Sequence, residues 1–252
     1  MPEIWKRSYV VPIFKSGDKH NVDNYRPISK LSTVAKLFEK IVYDNIYPNL
    51  RPFLISQQHG FVDGRSTERN LCEFLHRISI AIDQGFQVDV VYIDYSKAFD
   101  RIPHAKLINK LEKAGIHGDL LRWLSSYLEN RSQAETVKGR VSSFVPVSSG
   151  VPQGSHLGPL LFNVFINDIN SVFKNSGILL YADEMKIFRC ISDSADYLLL
   201  QSDLNKLCEY CSDNSMSLNI RKCQVISFSR MNNAVLFHGL RGEGMGGKWY
   251  GG

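Results

Sequence analysis

The architecture of this chain follows from one segment, Ile178-Leu179-Leu180-Tyr181-Ala182-Asp183-Glu184-Met185-Lys186-Ile187-Phe188. Two short β-prone runs flank the acidic tetrapeptide 181–184, and this pattern predicts a β-hairpin with carboxylates at its tip. A carboxylate in such a turn is exposed and is held by backbone on both sides. It is therefore free to bind a hard cation such as Mg²⁺, which prefers oxygen ligands.

A second acidic residue, Asp94, ends another strand-like run, Val88–Ile93. If the two strands are neighbours in one sheet, Asp94 and Asp183 can share a pair of metal ions. Two metal ions held by carboxylates are the arrangement that drives phosphoryl transfer in polymerases. The two acidic strand ends therefore predict a metal-dependent enzyme that acts on phosphates.

The composition limits the class of protein. The chain has 252 residues, of which 44% are hydrophobic, enough for one large domain or two tightly joined subdomains. Its formal charge of +5 permits a polyanionic partner without requiring one. No apolar run is long enough to cross a bilayer and no signal peptide precedes Trp5, so we expect no membrane partner and an intracellular location.

The five cysteines are odd in number and irregularly spaced, which argues against a disulfide framework. Cys208, Cys211 and Cys223 have part of the spacing of a zinc site, but no fourth ligand follows at the spacing of a zinc finger. We therefore expect neutral thiols in a reducing compartment.

Apolar periodicity and turn residues predict the order of the elements. After basic strands and loops at the N-terminus, we expect helices over 31–50, 67–82, 103–115, 119–130, 160–169 and 194–212, hairpins at 138–139 and 181–184, and a last strand over 224–228. Two sets of apolar residues define the first two helices: Leu31, Val34, Leu37, Phe38, Ile41 and Val42, then Leu71, Leu75, Ile78 and Ile82. The irregular alternation predicts an α+β layered fold.

The end of the chain departs from this pattern. Leu240–Gly252 contains six glycines among thirteen residues and no apolar period, so it is predicted to be disordered. We expect residues 231–252 to be a Gly-rich tail left by a truncated or frameshifted coding sequence.

Several motifs stand in a characteristic order. They are Tyr25-Arg26-Pro27-Ile28-Ser29, Gly60-Phe61 with Arg65-Ser66-Thr67, Asp94-Tyr95-Ser96-Lys97-Ala98-Phe99-Asp100, Ser149-Gly150-Val151-Pro152-Gln153-Gly154-Ser155, Leu157-Gly158-Pro159-Leu160-Leu161-Phe162, Tyr181-Ala182-Asp183, and Leu218-Asn219 with Lys222-Cys223. In order and spacing they resemble the reverse transcriptases of jockey-like non-LTR retrotransposons. The resemblance covers the chain from about Trp5 to Ser229. It implies a polymerase right-hand fold, with fingers and palm subdomains within residues 1–230 and a central antiparallel palm sheet.

The resemblance also implies a reaction and its partners. An RNA-directed DNA polymerase adds deoxynucleotides to a primer 3′-hydroxyl, so the partners would be an RNA template, a DNA primer and deoxynucleoside triphosphates. Asp94, Asp183 and Glu184 match the catalytic acids of the family, which implies two Mg²⁺ ions, with Mn²⁺ as a substitute. Target-primed transposition would place the protein in the nucleus, with the cytoplasm as the alternative. The sequence indicates no oligomeric state.

Further residues match nucleotide-binding positions of the family. Phe99 is expected beneath the incoming sugar, where it would exclude a 2′-hydroxyl, and Gln153 and Gly154 are expected at the incoming nucleotide. Lys15 and Arg26 are expected to hold the triphosphate, and a planar guanidinium suits phosphate oxygens better than an ammonium does. Asp100 lies in the same motif as Phe99 and is expected instead to cap the helix that opens at Pro103.

Two departures from the family leave alternatives open. The family has two aspartates in the metal turn, whereas the second residue here is Glu184, and a displacement of about 1 Å can cost about a hundredfold in rate. The family's thumb and its usual preceding endonuclease are not found in this chain. We therefore expect a fragment with reduced activity. The alternatives are an inactive transposon relic that at most binds nucleic acid, and a templated polymerase of another kind, from which the block Ser149–Phe162 points away.

Overall fold

The computed structural model describes residues 1–230 and the backbone of two short strands near the C-terminus. The helices of these residues are α1 Thr33–Leu50, α2 Thr67–Asp83, α3 His104–Lys113, α4 Gly118–Leu128, α5 Gly158–Ile166 and α6 Ser194–Asp213. The strands are β1 Arg7–Phe14, β2 Tyr25–Lys30, β3 Gln87–Asp94, β4 Arg131–Val137, β5 Arg140–Val141, β6 Val145–Val147, β7 Gly177–Tyr181, β8 Glu184–Ile191, β9 Gln224–Phe228, β10 Arg241–Gly242 and β11 Gly247–Lys248. This content confirms the predicted mixture of α and β elements.

The chain divides into two compact units, each built from two separate stretches of sequence. Unit 1 contains Met1–Phe53 and Phe99–Phe165, and unit 2 contains Leu54–Ala98 and Ile166–Gly252. Each unit has its own sheet.

The sheet of unit 1 is mixed. Its strands follow the order β2-β1-β4-β5, and β6 pairs with β4 as well. β1 and β4 run parallel, whereas the other pairs are antiparallel. The β4–β5 connection turns at Lys138-Gly139, where both residues have positive φ, as a type I′ turn requires. The hairpin predicted at this dipeptide is therefore confirmed.

The first helix, α1, is confirmed, but its buried face is not the one that the apolar spacing indicates. Val34, Leu37 and Ile41 are more than half exposed. The buried residues of α1 are Ala35, Glu39, Ile46, Tyr47 and Leu50. The Oε2 atom of Glu39 accepts a hydrogen bond of 2.9 Å from the His156 amide, so a polar contact with a distant loop lies on the buried face.

The sheet of unit 2 is antiparallel throughout, with the order β7-β8-β3-β9. Helix α2 packs on it and contributes Phe74, Ile78 and Ala81 to an apolar cluster. The sheet side of this cluster is formed by Val88, Val90, Leu179 and Phe188. The central strand β3 is buried along almost its whole length, so its position in the sheet is fixed by packing.

The predicted buried face of α2 is confirmed in its second half, where Ile78 is buried and Ile82 packs against the cluster, and is wrong in its first half. Phe74 is 3% exposed, whereas Leu71 and Leu75, expected on the buried face, are each 49% exposed. The buried positions Asn70, Phe74 and Ile78 are spaced by four residues. A polar residue therefore starts the buried face, which hydrophobicity alone does not predict.

The predicted tail lies mostly outside the described residues. Within it, Arg241 pairs with Lys248 and Gly242 pairs with Gly247 as a short antiparallel pair, although its composition predicts no regular structure. The rest of 231–252 lies outside the described residues.

The packing of α2 gives a matched pair of substitutions. Phe74→Ala should lower the free energy of unfolding by about 3–5 kcal/mol, because it leaves a cavity between α2 and the sheet. Leu75→Ala should change it by less than about 1 kcal/mol, because that side chain is half exposed. Denaturant unfolding of both variants would measure the difference. Equal losses would mean that α2 faces the sheet differently.

Candidate functional site

The acidic residues that the sequence singles out stand at one end of the sheet of unit 2. In the β3–β8 pair, Asp94 lies directly opposite Glu184. In the β7–β8 hairpin, Tyr181 also pairs with Glu184, so Ala182 and Asp183 form a two-residue turn. Residues directly opposite in an antiparallel pair have Cα atoms about 4.5–5.5 Å apart. The strands are therefore neighbours, as predicted, while the role of the acids as metal ligands stays a prediction.

Negative charge is concentrated at this end of the sheet. Like charges directly opposite each other destabilise a strand pair, so Asp94 and Glu184 favour a cation between or beside them. One cation of the chain is already close, since Lys222 Nζ lies 3.5 Å from Asp94 Oδ2. The Asp94 carbonyl accepts a hydrogen bond of 2.8 Å from the Asn219 amide, and this bond holds the segment that carries Lys222.

A cleft of about 290 Å³ opens beside the acids, within unit 2. It is lined by Asp94, Tyr181, Glu184, Lys186, Lys222 and further residues of α2, β3 and β9. Its walls carry both signs of charge, which suits a ligand that brings phosphate groups together with a metal ion.

The described residues contain no group of three or more His, Cys, Asp or Glu side chains that could hold a metal ion by themselves. Mg²⁺ does not need such a group, because it is commonly bound through one or two carboxylates and completed by water and substrate phosphates. The hard oxygen donors of Asp94 and of the turn fit this mode of binding. They do not form a closed protein site of the kind that structural zinc requires.

The segment 55–60 runs along β7 and was not predicted to take part in the site. His59 donates its amide to the Leu180 carbonyl at 2.9 Å, and the Leu180 amide donates to the Gln57 carbonyl at 2.9 Å. Gln58 forms a parallel bridge with Leu180. The strand that leads into the acidic turn is thus hydrogen-bonded along the edge that does not face β8.

A polar network continues from this segment into α2 and β8. Lys186 Nζ donates to Asn70 Oδ1 at 2.8 Å, and an ammonium group can only donate, so the Asn70 amide orientation is fixed. Its Nδ2 then donates to the Leu180 carbonyl at 3.1 Å and to His59 Nδ1 at 2.7 Å. Because Nδ1 of His59 accepts, the ring proton lies on Nε2, which is 3.5 Å from Glu73 Oε2.

Burial lowers the pKa of His59, and the nearby Arg65, Arg69 and Lys186 lower it further, while Glu73 opposes them. Burial also lowers the pKa of Lys186, against the attraction of Glu184. Protonation of His59 would add a proton to Nδ1, so that this N–H and the Asn70 Nδ2–H, both donors, would face each other. The network beside the acidic turn is therefore compatible only with the neutral imidazole.

This network predicts a pH dependence of stability. The pKa of His59 is lower in the folded chain than in the unfolded chain. The neutral imidazole therefore stabilises the fold fully above the pKa of the unfolded chain, and this stabilisation is lost as pH falls through the pKa of the folded chain. The free energy of unfolding should therefore fall between pH 7.5 and 5.5, and His59→Gln should reduce that fall. His76→Gln, at an exposed position of α2, serves as the control. Identical pH slopes for the parent and His59→Gln would contradict the prediction.

The predicted nucleotide-binding residues all belong to unit 1. Arg26 on β2 pairs in register with Ile13 on β1, and Lys15 follows the end of β1. Both basic side chains are exposed. Ile13 and Arg26 lie directly opposite each other and share a face of the pair, and the Lys15 amide donates a hydrogen bond of 2.8 Å to the Asn24 carbonyl.

The loop with Gln153 and Gly154 lies against β2. The Ser29 amide donates to the Gln153 carbonyl at 3.1 Å. Gly154 has φ +98°, and a Cβ atom there would stand 3.2 Å from the Ser29 carbonyl oxygen, so glycine suits this position both by conformation and by space. The loop is also held by the Glu39 carboxylate, which accepts the His156 amide. Burial raises the pKa of Glu39, and the hydrogen bond from His156 opposes this shift.

Phe99 and Asp100 have contacts that the sequence did not predict. The Phe99 ring stacks on Phe162 with centroids 4.5 Å apart. Asp100 is not the N-cap of α3 as expected, because Pro103 occupies that position and makes no side-chain capping hydrogen bond. Asp100 Oδ1 accepts instead a hydrogen bond of 3.1 Å from Gln153 Nε2. The carboxylate therefore orients the glutamine rather than the helix.

The five cysteines are free. Burial raises the pKa of Cys211 to about 12, and it also raises the pKa values of Cys208 and Cys223. These groups are therefore neutral thiols, as the sequence predicts. Among the described residues, no helix combines the length and the apolar character that crossing a membrane would require.

Comparison with known proteins gives one consistent family. Residues 15–241 match the family described as reverse transcriptase (RNA-dependent DNA polymerase). The chain is 32% identical, over 88% of its length, to the probable RNA-directed DNA polymerase from transposon BS of Drosophila melanogaster. It is 27% identical, over 96% of its length, to the RNA-directed DNA polymerase from mobile element jockey of the same organism. It spans 26% and 28% of these relatives.

Solved structures agree at the level of the fold. Apo telomerase from Candida tropicalis is similar with a TM-score of 0.65 at 12% identity, over 90% of this chain and 45% of that one. The telomerase of the same organism in complex with a TWJ fragment of telomeric RNA gives 0.62 at 11% identity, over 88% and 41%.

Proposed function

This chain belongs to the reverse transcriptase (RNA-dependent DNA polymerase) family of non-LTR retrotransposons, and on that premise we propose that it polymerises DNA on an RNA template. The supporting observation is the pairing of Asp94 with Glu184, which brings the end of β3 to the two-residue turn with Asp183. Because the chain spans about a quarter of its curated relatives, the activity, partners and nuclear location of the whole protein are part of this proposal.

The assignment of the two units extends the proposal. The antiparallel sheet of unit 2 carries the acids and corresponds to a palm, while unit 1 carries the basic hairpin β1–β2 and corresponds to fingers. The distribution of charge supports this assignment. The family needs acidic residues for metal ions and basic residues for a triphosphate, and this chain carries the acids in unit 2 and the bases in unit 1.

Reverse transcriptases use divalent metal ions, and Asp94, Asp183 and Glu184 are the oxygen donors that would hold two Mg²⁺ ions here. Bound at these carboxylates, the ions would neutralise charge that accumulates on phosphoryl oxygens during nucleotide transfer. The roles of the chain's own residues follow from their chemistry. Lys222 beside Asp94 limits the negative charge of the acid cluster before substrate binds.

The residues of unit 1 would bind and orient the nucleotide. Arg26 and Lys15 supply positive charge on exposed strand ends, and a guanidinium can meet two phosphate oxygens at once. Phe99 is held by its stack on Phe162, so its ring could bound a sugar pocket and exclude a 2′-hydroxyl. Gln153 is oriented by Asp100, and Gly154 lets the loop that carries Gln153 approach β2 closely.

Primer extension tests the proposed function. With a DNA primer on an RNA template, deoxynucleotides and Mg²⁺, the chain should extend the primer slowly, and Asp94→Asn should abolish extension because it removes a metal-binding charge. Asp119→Asn, at an exposed residue whose partner is Arg122 on the same helix, is the matched control and should retain activity. Removal of Mg²⁺ by a chelator should stop the reaction.

No extension with Mg²⁺ or Mn²⁺ would favour the second candidate, an inactive relic that binds nucleic acid, which Glu184 in the metal turn supports. Extension on DNA templates alone would favour a templated polymerase of another kind.

The glutamate in the turn gives a separate prediction. Glu184→Asp should raise the single-turnover rate by about ten- to a hundredfold, because a displacement of about 1 Å at a reacting centre can cost that much. Mn²⁺, which tolerates looser geometry, should partly rescue the parent chain. An unchanged rate with primer–template already bound would show that Glu184 does not limit the reaction.

A further inference from the structure

The turn that carries Asp183 has an unusual backbone. Ala182 has φ +55°, and among the two turn residues it alone has positive φ. Positive φ at the first residue of a two-residue hairpin loop is the pattern in which glycine is preferred. An alanine is strained there and persists only when its surroundings hold it in place.

One buried side chain holds both polar groups of Ala182. Gln58 is 1% exposed, and its Oε1 accepts the Ala182 amide at 2.9 Å. Its Nε2 donates to the Ala182 carbonyl at 3.1 Å. The same Oε1 also accepts the Gly60 amide at 2.7 Å. The glutamine thus replaces the backbone hydrogen bonds that the turn residue cannot make within the hairpin.

Gly60 lies directly against the backbone of the turn. A Cβ atom at Gly60 would stand 2.1 Å from the Ala182 nitrogen and 2.8 Å from its Cα atom, so only glycine fits. The segment itself is fixed by Arg65, whose guanidinium donates to the carbonyls of Ile55 and Gln58. The backbone at 58–60 is therefore a rigid base for the turn.

We infer that Gln58 and Gly60, the turn support, are positioning residues that set where the carboxylates of Asp183 and Glu184 stand. They touch neither substrate nor metal and act through the conformation of Ala182. This inference rests on the proposed function, because it assumes that the carboxylates of Asp183 and Glu184 bind metal ions. The support for their turn comes from a segment that is remote in sequence. The inference assigns the Gly60-Phe61 motif, together with Gln58, a role at the acids.

Four substitutions separate the contacts. Gln58→Met removes all three side-chain hydrogen bonds at similar length, whereas a protonated Gln58→Glu side chain keeps the acceptor for the two amides and replaces the amide donor to the Ala182 carbonyl with a carboxyl O–H. Ala182→Gly relieves the strained backbone, so that the turn depends less on Gln58. Gln57→Met is the matched control, because among residues 1–230 the side chain of Gln57 accepts a hydrogen bond from the neighbouring Ser56 hydroxyl and from no other group.

The first measurement is amide hydrogen exchange in the full chain, which needs no polymerase activity. Gln58→Met should speed exchange at the Ala182 and Gly60 amides by about ten- to a hundredfold, because both lose a buried acceptor. Gln57→Met should leave them unchanged. Unchanged exchange in Gln58→Met would overturn the inference.

The second measurement is a Mg²⁺ titration followed by NMR shifts of the 94 and 183–184 amides. The apparent dissociation constant should rise about tenfold in Gln58→Met, rise less in Gln58→Glu, and return toward the parent value when Ala182→Gly is added. If Gln58→Met does not fold, Gln58→Glu and the double variant decide the question. Faster exchange with unchanged Mg²⁺ affinity would show that Gln58 supports the fold but not the acids, and would overturn the inference. Failure of the parent in primer extension would count against the proposed function alone.

Discussion

The candidate site depends on the register between β3 and β8. Eight residue pairs, from Gln87 with Ile191 to Asp94 with Glu184, fix which residues meet at the end of the sheet. A slip by one residue would turn every side chain of a strand to the other face, and the buried central strand β3 does not tolerate that. The short turn at Ala182-Asp183 allows no slack, so register, turn conformation and the location of the acids form one constraint.

Local patterns in the sequence were sufficient for most of the elements in unit 2. Turn residues and helix caps mark the ends of these elements, so the sequence predicts β9 at 224–228 and α2 to within one residue of its end. Which face of a helix is buried could not be read in the same way. Glu39 faces inward because an amide more than a hundred residues later needs an acceptor, and no local period records such a partner.

The residues of the candidate site show the same difference between what local sequence predicts and what depends on distant partners. The acids could be identified because they end strands and follow a rare motif order, and their placement on neighbouring strands agrees with the structure. The polar residues that surround the acidic turn could not be identified, since Gln58, Asn70 and Lys186 are ordinary polar residues in the sequence. Their importance comes from donor and acceptor geometry across three elements of unit 2. Asp100 was misassigned for the same reason: it is expected to cap a helix, but its carboxylate accepts a hydrogen bond from Gln153, a partner that is distant in sequence.

The order of strands has a consequence for how the chain is made. The apolar strand β3 ends at Asp94, but its two partners begin only at Glu184 and Gln224, so a growing chain presents β3 before either neighbour exists. At about 5–20 residues per second, that interval is on the order of ten seconds. During it, helix α2 is the element already synthesised that can cover part of β3. Ribosome-bound intermediates of this chain should therefore engage chaperones between the emergence of β3 and that of β8.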